Sequence, residues 1–278
     1  MKSFSKKLLF LHALCAQSVF ATTLLTDDFS DGNRTSSPNG GNWYYVGTNT
    51  ATFPGGGMNV APGGAVNRSM QTTFSPASLA VGESITATLD LRFTDTIPDL
   101  DRAFRMGLFN SNGTSLTSDD TVGNATTLAS NVDNSGYWVG LSTGPTNKSA
   151  YMYYDTAASN FMSISAPAVN LGTEFNFGAI NDAAVHSFSL AIARTSTGYD
   201  FTFAVSGTLV GISPTGLASR TYTGTSTDTF DTFAIMTNSG ALDYTIDNVV
   251  ITVIPEPGPL GLLALGGLAP ILRRRRSI

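Results

Sequence analysis

The chain has 278 residues, only 13% of them charged, and a formal net charge of −5. Three lysines lie at its start and four arginines at its end, so residues 22–253 hold 8 basic against 19 acidic side chains. This acidic balance repels phosphate backbones, which excludes nucleic acid as a partner and favours divalent cations. The single cysteine, Cys15, lies near the N-terminus, so the rest of the chain has no disulfide, thiol nucleophile or cysteine-ligated zinc.

Residues 1–21 have the pattern of a secretory signal peptide. Lys2, Lys6 and Lys7 form a basic start, an apolar run follows from Leu8 to Ala16, and Val19-Phe20-Ala21 offers a cleavage site. We therefore expect an N-terminal signal helix that is removed on export. The alternative is a buried N-terminal helix.

Alternation with a period of two predicts strands in the region that follows. Ile85, Ala87, Leu89, Leu91 and Phe93 share one face of a strand, and polar or small residues occupy the other. The pattern recurs at 188–192 and 199–205 around a glycine-containing turn, which predicts a β-hairpin. Further strands are predicted at 104–109, 137–141, 150–154, 208–212, 230–236 and 244–253.

Turn-forming stretches at 54–57 and 110–113 separate these strands, and the region shows no convincing helical stripe. Many short strands without helices predict one all-β antiparallel sandwich over residues 22–253.

Three segments resemble concanavalin A-like jelly rolls, including laminin-G-like domains. Asp27-Asp28-Phe29-Ser30-Asp31-Gly32 is similar to the first strand of such domains, and Tyr244-Thr245-Ile246-Asp247-Asn248-Val249 is similar to the last. The stretch from His186 to Leu190 is similar to their central hairpin. The resemblance implies a jelly-roll β-sandwich and concerns the fold more than the function.

The same resemblance implies a structural calcium ion held by Asp28 and Asp247, one from each terminal strand. Calcium accepts carboxylate ligands of this kind. The orientation of Asp247 is open, because Val249 favours one face of the strand and Ile246 favours the other. Either both faces are covered there or a β-bulge lies near Asn248. The alternative to a metal role is that Asp247 caps local amides or faces solvent.

Residues 254–278 form a tail with three parts. Pro255-Glu256-Pro257 precedes an apolar run from Leu260 to Leu272, and Arg273, Arg274, Arg275 and Arg276 follow. This order resembles the PEP-CTERM sorting tail, which implies processing by an exosortase-type membrane protease. Arginines resist translocation, and the run is shorter than the ~20 residues of a comfortable span. We expect a short, transient C-terminal membrane segment; the alternative is a permanent anchor without processing.

The sequence contains no recognisable catalytic set. His186 is the only histidine after residue 21, and no Gly-x-Ser-x-Gly elbow accompanies it. The only glutamates between the two terminal segments, Glu83 and Glu174, lie far apart in sequence, whereas glycosidases use paired carboxyl groups. The sequence therefore favours a non-enzymatic protein, with no cofactor other than the calcium ion considered above.

Aromatic side chains are the candidate ligand contacts. Trp43, Tyr151 and Tyr153 are predicted to contact carbohydrate, because a flat ring can lie against a sugar ring. The alternative is that these three residues belong to the core.

Taken together, these features favour an exported protein of the cell surface or extracellular matrix of a Gram-negative bacterium. It would be bound to the inner membrane transiently and would then bind extracellular polysaccharide through its sandwich. A secreted glycan-active enzyme and a structural or adhesion component without a small ligand are the alternatives.

Overall fold

The computed structural model describes residues 20–35, 40–63, 67–94, 103–121, 123–128, 131, 133–142, 149–172, 175–176, 184–206, 215–223, 227–237 and 243–256. No helix in these ranges combines the length and the hydrophobicity that a membrane crossing needs. The strands are β1 (Thr22–Asp27), β2 (Trp43–Val46), β3 (Asn49–Thr52), β4 (Met58–Pro62), β5 (Arg68–Ser78), β6 (Ser84–Phe93), β7 (Phe104–Asn110), β8 (Ser135–Leu141), β9 (Ser149–Asp155), β10 (Val169–Asn170), β11 (Phe175–Asn176), β12 (His186–Arg194), β13 (Tyr199–Ser206), β14 (Thr215–Tyr222), β15 (Thr229–Thr237) and β16 (Tyr244–Ile254).

These strands form two antiparallel sheets of eight strands each. Sheet A has the order β14-β13-β12-β6-β16-β4-β3, and β1 also pairs with β16. Sheet B has the order β10-β9-β8-β7-β15-β5-β2, and β11 also pairs with β9. The all-β antiparallel sandwich that the sequence predicts is therefore confirmed.

The core between the sheets is built from alternate residues of the strands. In β6, Ile85 and Leu89 are buried, whereas Thr86 and Thr88 on the opposite face are partly exposed. The β12–β13 hairpin has the predicted turn, because the last residue pair of its ladder is Arg194 with Tyr199. The hydrophobic effect favours burial of one face per strand, which fixes the register of the ladders.

Sheet B differs from sheet A because both of its faces are buried. All seven residues of β8 are buried, although only alternate ones face sheet A. Loop segments 111–121, 123–128 and 156–168, which we call the outer layer, cover the other face. Phe161 and Met162 of this layer pack in one cluster with Trp138 and Tyr153.

The predicted strands agree with the observed ones to within a few residues, except that 208–212 lies outside the described residues. Strands β2 to β5, β10, β11 and β14 are not among the predicted ones. The predicted first-strand segment is wrong in its bounds, since β1 ends at Asp27 and the amide of Gly32 donates to the Phe29 carbonyl in a turn.

The last strand contains the bulge that the sequence left as one of two possibilities. The register of β16 against β6 shifts between Asp247 and Val250, and Asn248 adopts φ = 50°. Asparagine tolerates this left-handed conformation better than most residues. The extra residue explains why Ile246 and Val249 are both buried, and it leaves Asp247 partly exposed.

Candidate functional site

A polar cleft opens on the outer layer beside β2. Its volume is about 400 Å³. Its lining consists of Ser115, Leu116, Thr117, Ser118, Asp119, Asp120, Thr121 and Leu128. Hydroxyl groups both donate and accept hydrogen bonds and carboxylates accept them, so the lining matches the hydroxyl groups of a sugar.

Backbone pairing with the edge of sheet B holds this cleft in place. Asp120 forms a parallel bridge with Val46. Its amide donates to the Tyr45 carbonyl at 2.9 Å, and its own carbonyl accepts from the Gly47 amide at 2.6 Å. Gly123 donates its amide to Asp120 Oδ1 at 2.9 Å. The segment thus acts as a short additional strand beside β2.

An ion pair fixes the neighbouring residue of the cleft. Arg34 donates through Nη1 to Asp119 Oδ1 at 2.9 Å and through Nη2 to Asp119 Oδ2 at 2.5 Å. The guanidinium also lies 4.5 Å from the centre of the Tyr45 ring. A bidentate pair restricts orientation more than a single contact does. Asp119 is therefore held in one position in the cleft wall.

Two buried charged side chains hold the outer layer to sheet B. The amide of Met162 donates to Asp155 Oδ2, and the carbonyl of Met162 accepts from Arg105 Nη1, both at 2.5 Å. Met162 has φ = 48°, a left-handed conformation that is uncommon for this residue type. The two charges thus bind both peptide groups of one unusual loop residue.

The environment of Asp155 shifts its protonation. Burial raises the pKa of this carboxyl from 3.8 to about 7. The Trp138 indole, the Met162 amide and the Arg105 guanidinium oppose this rise. The indole N–H does not reach the geometry of a full hydrogen bond. Asp155 is fully buried, so its position supports a structural role beneath the layer and not contact with a ligand in the cleft.

The three candidate carbohydrate contacts are all buried. Trp43 is fully buried between the sheets, and its indole N–H donates to Asp27 Oδ2 at 2.9 Å. Tyr151 and Tyr153 do share a strand face, as predicted, but this face lies beneath the outer layer. The Tyr153 ring stacks on that of Trp138 with centroids 4.4 Å apart. A sugar ring would reach any of the three only if the covering residues moved.

Asp27 is a buried polar residue that the sequence did not identify as important. Its carboxylate accepts from the Phe29 amide at 3.0 Å, the Gly41 amide at 3.1 Å and the Trp43 indole. Burial is the largest effect on its pKa and raises it, while these hydrogen bonds lower it. A β-carbon at Gly40 would lie 2.6 Å from Asp27 Oδ2, so the chain needs glycine there.

The predicted calcium ligands, Asp28 and Asp247, lie at the same end of the β1–β16 ladder, on its outer side. Asp27 pairs with Val249 across β1 and β16, so Asp28 and Asp247 both lie close to the end of that ladder. The exposed Asp28 accepts from the Ser30 amide at 3.0 Å, a bond that lowers its pKa, and Asp247 accepts from the Asn248 amide at 2.7 Å.

Calcium takes six to eight oxygen ligands. Among the described residues, no group of three or more acidic, histidine or cysteine side chains comes together. An ion here would therefore need carbonyl oxygens and water beside the two aspartates, and calcium binding stays a prediction.

Of the other residues named in the sequence analysis, some lie in the described ranges and some lie outside them. His186 begins β12, in line with its predicted place at the start of the central hairpin, and its side chain is buried. Pro255 and Glu256 directly follow β16. Pro257, Arg273, Arg274, Arg275 and Arg276 lie outside the described residues, as do Glu174 and residues 1–19 of the predicted signal peptide.

Sequence reasoning missed the cleft and the buried side chains of Asp155 and Arg105. The pair Asp119-Asp120 lies in a hydroxyl-rich stretch, which is equally typical of a solvated loop. The sequences of β8 and β9 do indicate a covering layer. In Tyr137-Trp138-Val139 and Tyr151-Met152-Tyr153-Tyr154, large aromatic or apolar side chains alternate onto both faces of the strand. Such runs indicate strands that are covered on both faces.

Comparison with known proteins gives matches in fold only. No family model matches the chain, and no curated relative matches it. Solved structures with a similar fold include peanut lectin in complex with a 9mer peptide, which has 11% identity, covers 84% of this chain and 97% of its own, and gives a TM-score of 0.49.

A lectin from Bauhinia forficata in complex with GalNAc has 10% identity, coverage of 86% and 99%, and a TM-score of 0.48. A carbohydrate esterase from the Shiga toxin-encoding bacteriophage phi24B has 12% identity, coverage of 85% and 100%, and a TM-score of 0.48. These proteins resemble the chain in the arrangement of their strands, and both lectins and an enzyme occur among them.

Proposed function

We propose that this chain is an exported, non-enzymatic protein that a C-terminal sorting tail directs to the surface of a Gram-negative bacterium, where its sandwich binds extracellular polysaccharide. The main support for the proposal is that the described strands begin and end where the two predicted targeting segments meet the rest of the chain. The first described strand begins at Thr22, directly after the cleavage site at Ala21, and the last ends at Ile254, directly before Pro255. The strand framework thus fits between the two targeting segments.

The composition of the tail supports transient membrane insertion followed by processing. The apolar run from Leu260 to Leu272 is interrupted by Gly261, Gly266, Gly267 and Pro270. Glycine and proline weaken a helix, and the run is short for a bilayer. A segment of this kind suits a substrate of an exosortase-type protease better than a permanent anchor.

The cleft of the outer layer supports polysaccharide binding. Thr117, Ser118 and Thr121 are exposed in its lining, and Asp119 is held rigid by Arg34. A preorganised set of hydroxyl and carboxylate groups loses little entropy when it binds a polyhydroxylated chain. The leucines of the cleft offer apolar contact for the carbon atoms of the sugar.

The same contacts give less support to a glycan-active enzyme. Both oxygens of Asp119 accept from Arg34, so this carboxyl group is already engaged in an ion pair. Asp155 has the raised pKa of a general acid, but it is fully buried beneath the layer. A glycosidase needs two carboxyl groups that reach the scissile bond.

Affinity chromatography of residues 22–254 on the polysaccharide of the host tests this proposal. We expect retention without release of sugar. Release of oligosaccharides would identify an enzyme instead, and absence of both retention and release would favour a structural component.

Two double variants locate the binding site. Replacing both Ser118 and Thr121 by alanine should reduce retention about tenfold, since two hydrogen bonds of ~0.5–1.5 kcal/mol each are lost. The matched control replaces Ser196 and Thr197, two exposed residues of the β12–β13 turn, and should bind like the unmodified protein. Equal retention of the two double variants would show that the cleft is not the site.

A further inference from the structure

Both ends of the strand framework lie at one pole of the sandwich. Thr22 pairs with Val253, and Ile254 pairs with Ser84 at the start of β6. The turn 79–83 precedes Ser84, and the amide of Gly82 donates to the Arg194 carbonyl at 2.7 Å beside the turn 195–198. We call this end, made of Thr22, the two turns and Ile254, the terminal pole.

Only a short connection joins the terminal pole to the apolar run of the tail. Five residues, 255–259, separate Ile254 from the apolar run that begins at Leu260. Leu260 is six steps along the chain from Ile254, and a fully extended chain covers at most ~3.5 Å per step, so this connection spans no more than about 21 Å. The side chain of Glu256 already lies against the turn, since a β-carbon at Gly82 would be 2.5 Å from Glu256 Cδ.

The surface of the terminal pole combines apolar and charged groups. Val81 is 49% exposed and Ile254 is 44% exposed, two of the few large apolar side chains that reach solvent in the described residues. Glu83 accepts from the Ala80 amide, and Arg194 forms an ion pair with Asp228 at 2.7 Å. Such a mixture suits the headgroup region of a bilayer, because the acidic groups oppose deeper burial.

We infer that the terminal pole is the bilayer-facing surface of the membrane-bound precursor, with Val81 and Ile254 at the level of the lipid headgroups. This inference rests on the proposed function, since it requires the tail to insert. A connection of at most ~21 Å is shorter than the sandwich, so the opposite pole cannot turn toward the membrane.

The orientation leaves the candidate cleft accessible from outside. Asp120 bridges Val46, and Val46 pairs with Ser69 near the end of β5 that lies away from the terminal pole. β12 runs the length of the molecule, from His186 to Arg194 at the terminal pole, so its nine residues separate the two poles by ~30 Å. Polysaccharide would thus meet the cleft while the tail is still in the membrane.

Energy transfer from single labelled cysteines to a dye in the lipid headgroups measures this orientation. The full chain with Cys15→Ser has no other cysteine, so Thr197→Cys labels the terminal pole and Val185→Cys labels the opposite pole. Both positions are exposed. The labelled chains, with the tail intact, are reconstituted in phosphatidylethanolamine–phosphatidylglycerol vesicles and separated by flotation.

We expect both labelled chains to float with the vesicles, and transfer from position 197 to be at least about twice that from position 185, given the ~30 Å between the poles. Flotation with equal transfer, or with stronger transfer from position 185, would overturn the orientation and leave the tail assignment standing. Failure of both chains to float would overturn the insertion of the tail, and the orientation with it.

Discussion

Thr22 pairs with Val253, so the first and last strands of the sandwich are neighbours although more than two hundred residues separate them in sequence. The pair gives the two predicted targeting segments a common point of departure from the fold. Among the described strands, β1 pairs only with β16. The attachment of β1 therefore depends on this one ladder and on the side chains of β1 that are buried in the core.

Leu25 should anchor β1, because its side chain is buried in the core, whereas Leu24 is only partly buried against it. We expect Leu25→Ala to lower the free energy of unfolding of residues 22–254 by about 2–4 kcal/mol, from lost burial and a residual cavity. Thr26→Ala, on the exposed face of the same strand, is the control and should change it by less than about 0.5 kcal/mol. Urea unfolding measures both, and equal effects would mean that β1 contributes no core packing.

Asp155 should make stability depend on pH. Its pKa is raised in the folded protein from 3.8 to about 7, so the unfolded chain loses this proton more readily. The contribution of the group to the free energy of unfolding therefore decreases as pH rises from about 4 to about 7 and is constant above that range, a change on the order of a few kcal/mol.

Asp155→Asn removes this titration while keeping the size of the side chain. From pH 5 to pH 8, we expect the unmodified protein to lose more free energy of unfolding than the variant does. Urea unfolding at the two pH values measures the shift. The same difference at both values would mean that the carboxyl does not titrate between them.

The indole N–H of Trp43 should stabilise the buried carboxylate of Asp27. We expect Trp43→Phe to destabilise the sandwich by about 1–3 kcal/mol more than Trp138→Phe, because only the first change removes a well-formed hydrogen bond to a buried charge. Thermal unfolding of the two variants checks this. Equal losses would assign the whole effect to packing.

Calcium should stabilise the fold if Asp28 and Asp247 share an ion. At a calcium concentration ~100 times the dissociation constant, a ligand adds about 2.7 kcal/mol, which corresponds to a rise in Tm of about 5–10 °C at this size. Calcium should raise the Tm of the unmodified protein and of Asp133→Asn, an exposed control, and chelation should reverse that rise. The Tm of Asp247→Asn should not respond to calcium or to chelation. A Tm that chelation leaves unchanged would exclude a structural ion.

Alternation predicted β6, β12 and β13, because the large apolar side chains of each strand lie on one face. β5 was missed because polar residues lie on its covered outer face: Gln71 is buried beneath the outer layer, and its side-chain amide donates to Asn131 Oδ1 at 3.2 Å. A polar residue buried by a loop from elsewhere in the chain leaves no periodic pattern.

The candidate site was less predictable than the fold. Aromatic residues were weighed as ligand contacts or as core, and the burial of Trp43, Tyr151 and Tyr153 agrees with a place in the packed interior. The cleft depends on long-range contacts such as Arg34 with Asp119, which join residues 85 positions apart. Neither residue type nor local spacing identifies such a pair. The bulge at Asn248, in contrast, was one of two possibilities that the phase change along β16 had already indicated.

The intact mass of the protein recovered from the cell surface tests the central claim, export and processing of both terminal segments, most directly. We expect a mature chain that begins at Thr22 and lacks the arginine cluster, because the proposed cleavage sites lie after Ala21 and within the tail. A surface protein whose mass still includes residues 1–21, or the complete tail through Ile278, would contradict it.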